Sequence, residues 1–316
     1  MTKLFETVTQ VAPLFVMLAL GYLFKRRRFL PREAVSSIKG FIASVSLPAV
    51  VLGAFSTVPI NRVTGVTFVT IFLALAVALG SGLVLDRLMK RRSVRPFLMT
   101  AFEAGMLGLP LFSIFYGAAA VPRIAMADLG EICFTFLIII PLLNQRNGGP
   151  SGIKPAILRL VRNPIIWAVT IGLASAATGL SGYLLTTMGG KVIFSTLGFV
   201  GAPTGVLILF VVGYDLDFSR KNLGAALPTV ALRYLVMVPL FFAAQAIISA
   251  LGYGPGAAAS EDAHIVHAAL LFLFLMPSTF AIPVFGKEGK ESEYIATTLS
   301  LNTLVTVILL VIVTAV

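Results

Sequence analysis

The 316-residue chain is mostly apolar: hydrophobic residues make up 58% of it, charged residues 12%, and its mean hydropathy is +0.99. A soluble domain would carry about twice that share of charged residues, so the composition excludes one. The net charge of +11 does not indicate a nucleic-acid-binding protein, because the basic residues lie in short loops between apolar runs. The composition predicts an all-α polytopic membrane protein.

Apolar runs of about 20 residues, long enough to cross a bilayer, recur along the whole chain and predict ten transmembrane helices. The predicted spans are 5–24, 35–57, 64–88, 97–118, 122–144, 163–182, 190–213, 222–251, 264–286 and 292–315. Asn163 followed by Pro164 is typical of a helix N-cap with proline in the first turn. The first span is not a cleavable signal peptide, because its basic run, Lys25–Arg28, follows the apolar stretch.

Loop charge sets the predicted orientation. Eighteen of the 24 basic residues lie in alternate loops, at 25–32, 87–95, 146–162, 220–221 and 287–290. The opposite loops and the N-terminus hold four. Because basic loops stay in the cytoplasm, both termini are predicted to face outside, in the inner membrane of a bacterium.

The ten spans divide into two halves of five, residues 1–148 and 149–316. An odd number of spans per half forces the second half to insert upside down, which is the inverted repeat of many carriers. The two halves show a weak likeness, since Leu47-Pro48 lies in span two and Ala202-Pro203 in span seven.

Spans four and nine are each interrupted by proline, at Gly105–Pro110 and at Leu275–Thr279. Proline removes a backbone donor and leaves a carbonyl unpaired. Within a membrane such a break survives where it is buried in protein or lines a polar cavity. Paired interruptions in two halves point to a transporter's binding site, and at ~1.5 Å per residue both lie ~20 Å deep. The alternative is a pair of ordinary proline kinks.

Several stretches resemble the auxin efflux carrier family over essentially the whole chain. They are Gly21–Pro31, Ser46–Pro48, Gly105–Pro110, Arg162–Pro164, Gly201–Pro203 and Met276-Pro277. The resemblance implies a permease for small organic acids such as malonate or malate, with the architecture of bile acid–sodium symporters. Spans 1, 2, 6 and 7 would form a scaffold, and spans 3–5 and 8–10 a transport domain with two crossing broken helices. It also implies a homodimer through the scaffold.

One position departs from the family. Where the family often has an asparagine, five residues before the glycine of its Gly-x-Pro break, this chain has Glu103. An ionisable carboxyl therefore replaces a neutral amide, and the family's substrate and coupling ion do not carry over directly.

The candidate substrate-binding residues follow from the two breaks. Half-helix N-termini favour a carboxylate, and unwound carbonyls favour a cation. Arg233 would meet the anion or balance a carboxyl, unless it snorkels to the interface. Asn302 belongs to a polar patch in span ten, which interhelical hydrogen bonding explains equally well. The candidates are Gly108, Pro110, Pro277, Ser278, Thr279, Arg233 and Asn302.

Three carboxyls in the apolar spans are the candidate ion-coupling groups. Glu103 would cost ~2.5–3.5 kcal/mol to insert in a membrane, and such residues usually face a polar cavity or are protonated. Asp128 and Glu131 share one helix face and can share a proton. The alternatives are a structural carboxyl at Glu103 and a helix-capping Asp128.

The sequence therefore predicts a secondary active transporter of small organic anions, coupled to protons or sodium. No cofactor, resident metal or nucleic-acid partner is expected; the partners are the organic anion and the bilayer. Alternatives are an exporter of aromatic acids, a symporter of the sodium–bile acid type, a channel or a membrane sensor. An enzyme is not expected, since no nucleophile–histidine pair lies at membrane depth and no nucleotide-binding motif occurs.

Overall fold

The computed structural model describes residues 2–90, 93–146, 161, 163–216, 220–250, 261–285 and 290–315. Within these ranges all regular secondary structure is helical, so the predicted all-α class is confirmed. Large apolar side chains such as Leu73, Phe199 and Leu235 point outward. Such exposed apolar surface marks contact with a membrane or a partner, and here it lies on the long apolar helices.

The described residues form sixteen α-helices. The first half contains α1 (Thr2–Arg27), α2 (Arg32–Phe41), α3 (Leu47–Ser56), α4 (Arg62–Leu88), α5 (Arg95–Leu98), α6 (Leu109–Tyr116), α7 (Val121–Phe134) and α8 (Ile140–Arg146). The second half contains α9 (Pro164–Ala177), α10 (Leu180–Thr186), α11 (Met188–Gly201), α12 (Thr204–Asp215), α13 (Arg220–Ile248), α14 (Glu261–Leu275), α15 (Ala281–Phe285) and α16 (Lys290–Ala315).

Six continuous helical segments are long and apolar enough to cross a membrane. They are Arg32–Ser56, Arg62–Leu88, Ala118–Arg146, Met188–Asp215, Lys221–Ile248 and Glu291–Leu310. The pair α9 and α10 makes a seventh if it counts as one span, although it bends by 80° at Gly179, whose φ of +72° suits glycine. Two shorter apolar helices, Ala104–Tyr116 and Ala263–Leu275, lie in the predicted spans four and nine. The count of ten spans therefore stays a prediction.

Prolines inside three spans follow a wide helical turn. The π-helical turns Ile42–Ser46, Ala104–Gly108 and Thr135–Ile139 each end two residues before a proline. Proline clashes with the carbonyl four residues earlier, and a π turn moves the hydrogen bonding to the fifth residue. The helices therefore continue past these prolines because a wider turn precedes each proline.

The predicted cap at the start of α9 also forms. The Asn163 side chain accepts the Ile165 N–H at 2.9 Å.

Close backbone contact joins α1 to α12. A Cβ built on Gly21 would lie 2.0 Å from the Phe210 carbonyl oxygen, and one on Gly213 would lie 2.1 Å from the Leu18 carbonyl oxygen. Both distances exclude any side chain, so these glycines let the two backbones touch. Gly172 of α9 does the same against Phe55 of α3.

The helices pack as two groups. In one group α1 packs along α12, and α3 packs against α9 and α11. In the other, α4 packs against α5, α7 and α13, while α14 and α16 pack on α13. Contacts between the groups include α3 with α7, α1 with α16, and α12 with the segment that contains Pro110.

Polar contacts join helix ends that loop charge places on one side of the membrane. Lys25 Nζ donates to the Leu216 carbonyl at 2.8 Å, and Lys39 Nζ lies 2.7 Å from Asp215 Oδ2. At another point Arg146 Nη2 lies 2.6 Å from Glu291 Oε1. These contacts agree with the predicted alternation of loops. Which side of the membrane these loops face stays a prediction.

Candidate functional site

The first interruption separates α5 from α6. Residues 99–103 leave the helix after α5, and Ala101 adopts a φ of +58°, which is unusual for a residue with a Cβ. The helix resumes as a π turn at Ala104, and the Glu103 side chain caps this start by accepting the Met106 N–H at 3.1 Å. The break therefore begins with freed carbonyls and ends on a capped N-terminus.

The second interruption separates α14 from α15. Met276 closes the end of α14 with its N–H on the Phe272 carbonyl at 3.0 Å, and residues 277–279 are not helical. The Leu275 carbonyl, left without a helical donor because the helix ends there, accepts the Thr306 hydroxyl at 2.8 Å. Side chains of neighbouring helices therefore satisfy the backbone groups that the break frees.

The two interruptions contact each other directly. The Glu103 N–H donates to the Pro277 carbonyl at 2.9 Å, and the Ser278 hydroxyl donates to the Thr100 carbonyl at 3.1 Å. A Cβ built on Gly108 would lie 3.5 Å from Met276 Sδ. The breaks in spans four and nine thus meet, as the pairing of their prolines indicated.

The Glu103 carboxylate lies between the starts of the two resuming segments. Besides the Met106 N–H, it accepts the N–H of Phe280, just before α15, and lies 3.5 Å from the Thr279 hydroxyl. This position combines backbone donors from both breaks, which favour a negative charge. An acidic side chain of the protein therefore occupies a place where the sequence predicted a substrate carboxylate.

Arg233 of α13 is fully buried and reaches the carbonyls that the breaks leave free. Its Nη1 donates to Thr100 at 3.0 Å, and its Nη2 donates to Ala101 at 2.6 Å and to Met276 at 2.9 Å. Among the described residues its Nε has no hydrogen-bond partner. Arg233 therefore does not snorkel; it supplies the cation at the carbonyl side of the crossing.

Asp128 and Glu131 of α7 complete the charged cluster, and both are at least nine-tenths buried. Glu131 accepts the Thr135 hydroxyl at 2.6 Å. Neither carboxyl oxygen of Asp128 finds a hydrogen-bond partner in the described part of the chain. The nearby charged groups are Glu103 and Glu131.

The polar patch of α16 reaches the second break through Thr306. The Tyr234 hydroxyl lies 3.0 Å from Thr306 Oγ1 and 3.3 Å from the Leu275 carbonyl oxygen. Asn302 lies one turn before Thr306 and is fully buried. Neither polar atom of its amide has a partner within the described ranges, so its side chain is available to a ligand that enters there.

The structure gathers most of the predicted residues. Gly108, Ser278, Thr279 and Glu103 lie at the crossing. Pro110 packs against α12, with its Cβ 3.1 Å from a Cβ built on Gly205. Sequence reasoning missed Tyr234, which follows Arg233 in α13. It also missed the backbone donor of Phe280, for which no side-chain signal exists.

Comparison with known proteins adds two findings. Residues 6–148 match the family model described as "Membrane transport protein". Among curated proteins, none matches the chain. The fold is similar to the structure of the sodium proton antiporter MjNhaP1 from Methanocaldococcus jannaschii at pH 8, with 15% sequence identity, a TM-score of 0.45, and coverage of 99% of this chain and 97% of that one.

The family match covers the first helical half, including the first interruption and the Asp128–Glu131 pair. Together with the long apolar helices, it points to a multi-pass membrane protein. The match covers less than half of the chain, and it agrees with the resemblance to the auxin efflux carrier family that the sequence indicated.

Proposed function

We propose that this protein is a secondary active transporter of small organic anions, coupled to protons or sodium, with its site at the crossing of the two interrupted helices. One observation carries the proposal. The Glu103 N–H binds the Pro277 carbonyl, and the Glu103 carboxylate binds the Phe280 N–H. Two breaks far apart in sequence thereby form one polar centre inside an apolar protein, as alternating-access carriers require.

The substrate class follows from the donors at this centre. The backbone N–H groups at this centre favour carboxylate oxygens, since those of Met106 and Phe280 already bind the carboxylate of Glu103. Arg233 gives the centre a positive charge without exposing its Nη atoms, because carbonyls hold both of them. Asn302, with two unpaired polar atoms, supplies a further contact for a second polar group. Short dicarboxylates such as malonate and malate suit this arrangement.

Transport requires the site to face each side of the membrane in turn. The group of α1–α3 and α9–α12 acts as the scaffold, and the group that carries the two breaks moves against it. Close glycine contacts hold helices together within each group, at Gly21, Gly213 and Gly172 in the first and at Gly130, against the Phe68 carbonyl, in the second. The scaffold also provides the contact of a homodimer. The protein lies in a bacterial inner membrane, with both termini outside.

The coupling ion binds among the carboxyls next to the crossing. Glu103, Asp128 and Glu131 interact with one another, so a change of charge at one changes the electrostatic energy of the other two. A proton or sodium ion taken up there offsets the charge of the substrate anion. Such compensation is needed because an unpaired charge in a medium of low dielectric constant is costly.

Tracer uptake in proteoliposomes tests the proposal. Malonate, malate and an aromatic acid are compared under an imposed proton gradient and an imposed sodium gradient. We expect one of the two short dicarboxylates to accumulate under one gradient. Accumulation of none of the three acids above the level of empty vesicles would contradict the proposal. Glu103→Gln adds a second arm: full uptake with unchanged pH and sodium dependence would remove Glu103 from the coupling groups.

A further inference from the structure

Four ionisable side chains meet near the crossing with unequal charge. Glu103, Asp128 and Glu131 are carboxyls, Arg233 is the nearby guanidinium, and all four are at least nine-tenths buried. With every group ionised the cluster would carry two uncompensated negative charges. Burying such charge costs several kcal/mol per ion, so part of the cluster must be neutralised.

The hydrogen bonds show which group is the neutral one. Glu103 accepts two N–H donors and lies beside the Thr279 hydroxyl. Glu131 accepts the Thr135 hydroxyl. Donors of this kind stabilise an ionised carboxylate. Asp128 receives none from any described residue, so its ionised form is the least stabilised of the three.

No basic side chain of the described residues forms a hydrogen bond with Asp128. Its helix packs against α3, α4, α6 and α14. The titratable or charged groups on its own helix, on these helices and around Asp128 are Arg62, Asp86, Arg87, Glu103, Tyr116, Arg123, Glu131, Cys133, Glu261, Asp262, His264 and His267. The charged side chains that interact with Asp128 are the like charges Glu103 and Glu131, and Arg233 interacts with Glu131.

We propose that Asp128 is the group that takes up and releases the coupling ion, and that this ion is a proton. The inference rests on the proposed transport function and names its driving ion. A sodium ion needs several oxygen ligands, and the freed carbonyls of Thr100, Ala101 and Met276 already bind Arg233. A proton needs only the carboxyl itself: Asp128 binds H⁺ as the neutral acid and returns to the carboxylate when it releases that H⁺.

Infrared spectroscopy of the purified protein tests the inference without any substrate. At neutral pH the wild-type protein should show the carbonyl band of a protonated carboxyl, and carbon-13 labelling of the aspartate carboxyls should move it. The band should vanish in Asp128→Asn and persist in Glu33→Gln, whose carboxyl is exposed. The labelling experiment needs no variant, so it shows whether an aspartate is protonated even if Asp128→Asn does not fold, and Asp86→Asn tells the buried Asp86 apart from Asp128. Absence of an aspartic acid band overturns the inference.

Transport separates this inference from the proposed function. With a gradient of about one pH unit, uptake coupled to one proton per negative charge of malonate or malate should accumulate the substrate about tenfold per proton. Asp128→Asn should lose this accumulation and keep exchange of labelled for unlabelled substrate. Sodium-driven accumulation that disappears in Asp128→Asn would overturn the assignment of the proton while leaving the proposed function intact. An aspartic acid band without transport of any of the acids would instead contradict the proposed function alone.

Discussion

The crossing of the two breaks and the contact between α1 and α12 hold helices together in opposite ways. At Gly21 and Gly213 the backbones touch with no room for a side chain. At the crossing the backbones are freed from the helix, and side chains of other helices satisfy them, as Arg233 does for three carbonyls. The first contact is made by shape and the second by charge and hydrogen bonds.

Because of this difference, the two regions suit different roles in transport. Close glycine packing between α1 and α12 leaves little room for a relative shift, because the backbones touch. A hydrogen-bonded crossing that contains ionisable carboxyls is the kind of element that can switch between arrangements. The glycine contact therefore suits a fixed scaffold, and the crossing suits the part that binds and moves solute.

The largest expected effect comes from removing the cation at the crossing. Arg233→Met should destabilise the protein by ~3–5 kcal/mol, because three buried carbonyls lose their donors and the carboxyls lose their countercharge. Thermal unfolding in detergent measures the loss. Arg32→Met, at an exposed arginine, is the matched control. Equal melting temperatures of the two variants would show that the crossing does not depend on Arg233.

The glycine contact should respond to volume. Gly213→Ala should cost ~1–3 kcal/mol, since its Cβ would overlap the Leu18 carbonyl and force α1 away from α12. Gly80→Ala is the control, because a Cβ there meets nothing within 4 Å and should stabilise the helix by ~0.5–1 kcal/mol. Thermal unfolding again gives the comparison. A Gly213→Ala variant as stable as wild type would refute the tight contact.

A smaller effect is expected where α16 supports the second break. Thr306→Val removes the hydroxyl bound to the Leu275 carbonyl and should cost ~1 kcal/mol, as interhelical hydrogen bonds in membranes do. Thr196→Val provides the control, because the exposed Thr196 hydroxyl binds only a carbonyl of its own helix. If both variants unfold at the same temperature, the support of the break by α16 is not significant.

The smallest effect should come from the exposed ion pair at the helix ends. Lys39 and Asp215 lie 2.7 Å apart with side chains 43% and 50% exposed, so Lys39→Met should change stability by ~0.2–1 kcal/mol at most. The change should shrink as salt is added. A salt-independent loss comparable to that of Arg233→Met would place this pair in the core of the fold.

Much of the fold was predictable from hydropathy and proline position. Apolar runs located the helical segments, and Pro277 located the second break, since both signals act locally along the chain. The first break was predicted at Gly105–Pro110 but lies at residues 99–103, because a π-helical turn accommodates Pro110 within the helix. The partners of Arg233 were not predictable, because backbone carbonyls carry no sequence signature. The bond from the Phe280 N–H to Glu103 was missed for a related reason. This N–H becomes a free donor only once the second break has formed.

The central claim, that the crossing is a solute site exposed to each side in turn, is tested most directly by counterflow. Vesicles that contain the purified protein and unlabelled malonate or malate are diluted into a trace of the labelled acid without any ion gradient. The account predicts a transient, saturable accumulation of label inside. A flux that rises linearly with concentration and carries current, or a flux no greater than in empty vesicles, would contradict it.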